Sequence, residues 1–192
     1  SKKMLEKEEQ NKQLRSFLTA LKEKTSSISF FKSGEYELES VIGEGSTSSV
    51  NIVHKVEKEK YAQKVLKEYT FDSFKRFFSE CEILFLLRHP CIVRVYGFNN
   101  GDKSKAPSMI LSLQPTSLEK AIKEKAINNH HKNRITIELV LGMRYIHKKN
   151  IMHRDLKPSN ILLSKKMHVR ISDFGLAKVD DPEVSQSKGI GT

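Results

Sequence analysis

HRDLKPSN, residues 153–160, runs straight into Ile161-Leu162-Leu163 and is followed thirteen positions after Asn160 by Asp173-Phe174-Gly175. The apolar triplet reads as a short buried strand, and a helical pattern ends just upstream, near His147. A charged loop wedged between a helix and a buried strand is a costly place to keep Arg154 and Asp155 unless they are used. Asp155 offers a carboxylate that can take a proton. Asn160 and Asp173 offer oxygens for a divalent cation, and Lys157 offers an ammonium that can lie against a phosphate. Phosphoryl transfer draws on this set of groups. Asp-Phe-Gly alone is a common turn tripeptide, with Gly supplying φ > 0. The weight lies in the combination.

The chain upstream carries matching parts. Val41-Ile42-Gly43-Glu44-Gly45-Ser46-Thr47-Ser48-Ser49-Val50 joins two strand patterns. Gly43 and Gly45 there would let backbone approach phosphate oxygens that a Cβ would block; read blandly, this is a hairpin turn. In Tyr61-Ala62-Gln63-Lys64-Val65-Leu66, alternation puts Ala62 and Lys64 on one face of a strand. Residues 73–87 then form a helical pattern, with Phe74, Phe77, Phe78, Cys81, Leu84 and Phe85 at three- and four-residue steps. Glu80 and Glu82 flank that stripe on opposite sides, and periodicity alone does not choose which of them faces Lys64.

These motifs jointly resemble the catalytic domain of the eukaryotic protein kinases, over about Tyr36 to Thr192. The resemblance implies an α+β, two-lobed protein-kinase-like fold, with an antiparallel-sheet N-lobe carrying one helix and an incomplete, mainly helical C-lobe. Its boundaries would be an N-terminal extension over 1–31, an N-lobe over 32–112 and a partial C-lobe over 113–192. It implies that Asp155 accepts or orients the substrate hydroxyl proton and that Lys157 neutralises γ-phosphate charge. Asn160 and Asp173 would hold Mg²⁺, Lys64 the α/β-phosphates of ATP, and Glu80, selected by the family register, would position Lys64. Ile42, Gly43, Glu44, Gly45, Ser46, Ser48, Val50, Ala62, Leu111, Leu113 and Leu162 would line the nucleotide. Ser48 stands where the family usually has a third glycine, which implies a stiffer loop. Ser112 departs from the acidic residue common at the hinge, where backbone atoms make the purine contacts. Lys157, where tyrosine-specific kinases typically carry Ala, and Thr192 imply Ser/Thr as acceptor, and the wording of the loop resembles the tyrosine-kinase-like branch. Arg154 suits a phosphate on the activation segment, with Ser185, Ser187 or Thr192 as acceptor.

Composition bounds the other classes. At 192 residues, 38% hydrophobic and 30% charged, the chain is a globular protein with room for one sizeable core or two small lobes. Ile83–Leu87, the longest apolar run near the middle, is too short to span a bilayer. The start, SKKMLEKEEQNK, lacks the apolar run of a signal peptide. Cys81 and Cys91 fall at buried positions, which fits reduced thiols and an intracellular, cytoplasmic setting. The net charge of +11 invites a nucleic-acid reading. Between Lys148 and Lys178, however, eight Lys/Arg against two Asp surround the phosphate-handling loop without interleaved aromatics. No nucleic acid and no membrane partner is expected.

Leu14, Phe17, Leu18 and Leu21 step at helical spacing in a Lys/Glu-rich opening, predicting a short amphipathic helix able to dock a partner. The pattern does not persist long enough for a coiled coil. Tyr36 to Leu113 predicts strands at 36–42, 50–56, 60–66, 93–98 and 109–113 around the helix. A second helix is expected over 135–147, where Ile135, Ile137, Leu139, Val140, Leu141, Met143, Tyr145 and Ile146 make it apolar nearly all round and so buried from several sides. The chain reads as a fragment ending in the activation segment, without the C-terminal helices that the resemblance implies. A rival expectation follows: a catalytically inactive, pseudokinase-like nucleotide-binding or scaffold fragment.

Overall fold

A computed structural model describes residues 29–32, 34–55, 59–68, 70–101 and 105–179. The expected amphipathic helix near the N-terminus and the candidate acceptors Ser185, Ser187 and Thr192 lie outside these residues. The chain divides into two compact units. One holds the described residues up to Phe85 together with Val95–Leu113, the other Leu86–Arg94 with the described residues from Gln114 onward.

The first unit is an antiparallel sheet of β1 (Glu37–Glu44), β2 (Ser48–His54), β3 (Lys60–Leu66), β4 (Val95–Asn99) and β5 (Ser108–Ser112), in the order β1-β2-β3-β5-β4. Helix α1 (Phe71–Leu86) buries Phe74, Phe77, Phe78, Cys81, Ile83, Leu84 and Phe85. Its start is built by reciprocal capping: the Ser73 amide donates to Thr70 Oγ1 at 3.1 Å and the Thr70 amide to Ser73 Oγ at 2.9 Å. Phe98 of β4 meets the rings of Phe74, Phe77 and Phe78 at 6.2, 5.9 and 5.0 Å. With Val53, Leu66, Met109 and Ile110 these rings form the core of the unit. The helix and the five strands stand within a few residues of their predicted positions.

The second unit contains β6 (Thr116–Ser117), α2 (Leu118–Lys123), α3 (Asn129–Lys148), β7 (Ile151–Met152), β8 (Ile161–Leu163), β9 (Val169–Ile171) and β10 (Lys178–Val179). β8 and β9 form a hairpin, with β6 on the far side of β8, and β10 pairs with β7. Cys91 and Val93 lace onto Ile171 through backbone bonds of 2.8 and 2.9 Å. Gly142 of α3 lets the helix settle onto this layer; a Cβ there would stand 2.7 Å from Ile171 Cδ1 and 3.2 Å from Cys91 Cβ.

Two expectations need correcting. α3 begins six residues earlier than its apolar pattern, because Asn128 caps it by accepting the His131 amide at 2.8 Å. It is also not enclosed from several sides. Ile135, Gly142 and Ile146 are buried, whereas Ile137 and Val140 are 60% and 61% exposed. Only one face of the helix meets β9 and the Cys91 segment, while the opposite one lines an open groove with Leu156 at its margin.

Candidate active site

The candidate residues fall into two groups, one in each unit. In the first, strand register sets the layout. Gly43 pairs with Val50, Val50 with Lys64, and Lys64 with Met109; Ala62 pairs with Leu111. Gly43, Val50 and Lys64 therefore lie in one row across the sheet, and Ala62 and Leu111 in the row two residues on. Ile42, Glu44, Gly45, Ser46 and Ser48 stand in and around the turn between β1 and β2, and Leu113 directly follows β5. The turn closes through the Gly45 amide to the Ser48 carbonyl at 2.8 Å. A Cβ on Gly45 would press that carbonyl at 3.2 Å. Glu44 takes an ion pair from Lys67 at 3.2 Å.

Lys64 reaches from β3 to α1, where Nζ donates to both carboxylate oxygens of Glu80, at 2.7 and 2.8 Å. The pair is sequestered, with the Lys64 and Glu80 side chains 13% and 4% exposed. Periodicity had left Glu80 and Glu82 open, and the geometry separates them. Glu82 is half-buried, and burial pushes its carboxyl up.

In the second unit the loop after β7 folds on itself. Lys157 Nζ lies 2.9 Å from Asp155 Oδ2, and Asn160 Nδ2 donates to the same oxygen at 3.0 Å and to the Asp155 carbonyl at 2.9 Å. Asp155 Oδ1 accepts nothing from the described residues. The hydrogen bond from Lys157 holds the Asp155 carboxyl below its ordinary 3.8; burial opposes this, and the Lys157 charge and Asn160 add to the lowering. The same bond raises Lys157, helped by the charges of Asp155 and of nearby Asp173. Asp155 is therefore a charged acceptor at neutral pH, suited to orienting a hydroxyl.

His153 underpins this loop. Its Nδ1 accepts the Asp155 amide at 3.3 Å, which leaves Nε2 to donate to the Ser172 carbonyl at 2.9 Å, and its ring meets Phe174 at 4.7 Å. The Ser172 hydroxyl and amide both bond the Asn160 carbonyl, each at 2.9 Å. Asn160 and the residue before Asp173 are thus tied together. Arg154 and Asp173 adopt φ of 61° and 60°, a costly conformation for non-glycine residues that persists where surroundings enforce it. Within the Asp-Phe-Gly tripeptide the positive φ belongs to Asp173 and not to Gly175. Arg154 Nε donates to the Leu176 carbonyl at 2.6 Å. Leu162 lies in β8 opposite Arg170.

The donors suit a magnesium ion. With Asn160 Nδ2 committed to Asp155, its amide oxygen is turned to accept, and Asp173 contributes a carboxylate. One carboxylate and one neutral oxygen, completed by phosphate and water, match the hard, oxygen-seeking Mg²⁺.

The protein kinase domain family model matches residues 36–192. The chain belongs to this family. Among similar proteins is a probable myosin light chain kinase of Dictyostelium discoideum, 32% identical over 82% of this chain and 34% of its own length. The CBL-interacting serine/threonine-protein kinase 8 of Arabidopsis thaliana is 32% identical over 80% of this chain and 36% of its own length. Human 3-phosphoinositide-dependent protein kinase 1 is 34% identical over 82% and 30% respectively. This kinase domain chain thus spans about a third of the length of these relatives.

Three supports of the loop at residues 153–160 and of the hairpin beside it escaped sequence reading. Ser172 and His153 carry no periodic signal, although a histidine inside a charged loop is a hint. Glu138, on the exposed-looking side of α3, accepts from His168 Nδ1 at 2.6 Å and from the Val169 amide at 2.7 Å. Burial disfavours its charge, but the Val169 amide, His168 and Arg134 outweigh that and leave the carboxyl below its ordinary 4.5. Its bonds fasten to α3 the hairpin whose two ends lead to Asn160 and Asp173.

Proposed function

We propose that this chain is catalytic machinery of a protein serine/threonine kinase, transferring the γ-phosphate of ATP to a protein hydroxyl. The observation that carries this reading is the convergence of Lys157 and Asn160 on one oxygen of Asp155. That convergence holds a charged carboxylate fixed with its second oxygen turned to a substrate. The Asn160 amide oxygen and the Asp173 carboxylate would hold a Mg²⁺ ion, which would supply positive charge to offset that of the phosphates. Lys64, fixed by Glu80, supplies positive charge to the α/β-phosphates. Asp155 aligns the acceptor hydroxyl and takes its proton late, when the oxygen's acidity has risen. Lys157 offsets charge on the transferring group. Most of the catalysis is placement and electrostatics. Two features support Ser/Thr as acceptor: Lys157 two positions past Asp155, and the serine/threonine kinase named among the relatives. No helix among the described residues is long and apolar enough to cross a membrane, and the buried thiols of Cys81 and Cys91 support an intracellular setting.

Two measurements test the reading separately: Mg²⁺-dependent ATP binding by calorimetry, and transfer of labelled γ-phosphate to a Ser/Thr-rich protein. Transfer that falls steeply in Asp155→Asn is expected. The exposed Ile137 and Val140 favour a second reading, a nucleotide-binding scaffold. Binding without transfer would favour it.

A further inference from the structure

The family match begins at residue 36, yet the chain just before it is part of the first unit. β4 is the edge strand of the sheet, and its outer side is occupied by Ser29–Phe31. Phe30 makes a parallel bridge with Phe98. The Phe98 amide donates to the Ser29 carbonyl at 2.9 Å, and the Phe31 amide donates to the Phe98 carbonyl at 3.1 Å. Asn99 Nδ2 donates to the Phe31 carbonyl at 2.8 Å. A short segment thus satisfies polar groups that an edge strand would otherwise leave to solvent. Its side chains add to the grip, since the Phe30 ring stands edge-on to Phe98 at 6.3 Å and Phe31 meets Tyr36 at 5.2 Å. Gly97 makes room for the segment. The three nearest atoms to a Cβ built there belong to Phe31 and Ser29, the closest two at 3.1 and 3.3 Å.

The clamped residue is the one that holds α1. Phe98 is fully buried and touches three phenylalanine rings of that helix. Glu80 follows Phe78 by two positions on the same helix and grips Lys64 at 2.7 Å. On the inner side the pairing of β4 with β5 is irregular between Val95 and Gly97 and regular from Gly97 to Asn99, so Phe98 sits between β5 and the outer segment. We propose that Ser29–Phe31 are positioning residues: by clamping Phe98 from the open edge, they keep α1 where Glu80 meets Lys64. The consequence for catalysis rests on the kinase reading; the mechanical link does not.

Hydrogen exchange measured by mass spectrometry on the full chain, without nucleotide, tests the link. Phe30→Ala removes one edge-to-face contact, so amides of α1 are expected to exchange about two- to tenfold faster. Those of β1–β3 and of α3 should be unchanged. Phe30→Leu, which keeps apolar bulk, should recover most of the protection. Gly97→Ala displaces the same segment from the opposite strand and should reproduce the α1 effect. Unchanged exchange in α1, or an equal acceleration in every element, would overturn the proposal. ATP titration of the same samples reads out the consequence, and weaker Mg·ATP binding in both variants is expected. Failure of the unaltered chain to bind ATP would sink the kinase reading, while the exchange comparison would still decide the clamp.

Discussion

β3 carries two lysines that make ion pairs of nearly equal length in very different surroundings. Lys64 lies 2.7 Å from Glu80, with side chains 13% and 4% exposed. Lys60 lies 2.6 Å from Glu39, with side chains 54% and 36% exposed. If distance set the energy, the two pairs would respond alike to mutation. Burial says otherwise. Removing one partner of a sequestered pair takes away charge compensation at low dielectric, at a cost of up to about 3–5 kcal/mol, whereas exposed pairs return about 0.2–1 kcal/mol. Lys64→Ala and Glu80→Ala should each remove a large share of a stability on the order of 5–15 kcal/mol. Glu39→Ala should scarcely register. Replacing both charges with apolar side chains, Lys64→Met with Glu80→Leu, should recover most of the loss, giving a coupling energy above about 2 kcal/mol. The recovered protein should still lack phosphate transfer, which separates the pair's structural cost from its chemical use. Urea unfolding followed by far-ultraviolet circular dichroism, run as a double-mutant cycle, measures each quantity. A Glu80→Ala loss no larger than that of Glu39→Ala would refute the reasoning, because burial would then not govern the pair.

Four further outcomes are expected. Asp155→Asn should lower the transfer rate about 10²–10⁴-fold while leaving ATP affinity nearly unchanged, as turnover and binding assays would show; Lys157→Ala should let the Asp155 carboxyl rise toward its ordinary 3.8, read by carbon NMR titration. Glu138 has a carboxyl depressed below 4.5 in the folded protein, so its stabilisation is complete above that pH and is lost as pH falls through the folded value. Glu138→Gln should flatten the acid limb of the urea midpoint below about pH 4.5, and an unaltered limb would count against the clamp on the hairpin. Gly142→Ala puts a methyl 2.7 Å from Ile171 Cδ1 and should cost about 1–3 kcal/mol by overpacking, detectable in the same unfolding assay.

What could be read from the sequence divides along physical lines. Helix α1 and strand β3 were legible because each shows the periodicity of one buried face, a property of consecutive residues, whereas β1 is exposed at nearly every position. The loop at 153–160 was legible because a cluster of polar groups beside an apolar strand is costly and therefore conspicuous. The early start of α3 was hidden by the polar run Asn129-His130-His131-Lys132-Asn133-Arg134, whose helical state depends on the cap at Asn128 and not on any apolar stripe. Glu138 was hidden for a different reason. A lone carboxylate on a helix looks solvated until the partner 31 residues away, the Val169 amide, is known. Ser29–Phe31 is too short to show any period.

The residues that sequence reading missed share a task, and this bears on how the site works. Groups that meet a phosphate or cation must be of a particular chemical type, so type betrays them. Groups that hold those residues in place need only a hydrogen bond or a ring at the right point, which many side chains provide. His153, Ser172 and Glu138 belong to this second class, and together they tie Asp155, Asn160 and the approach to Asp173 to the hairpin and α3. The strained φ of Asp173 requires such support, since a non-glycine residue near +60° relaxes unless its neighbours forbid it. Precision at this site is therefore a property of the supports. Loosening Ser172 or His153 should degrade transfer while every residue that touches the phosphates remains in the chain.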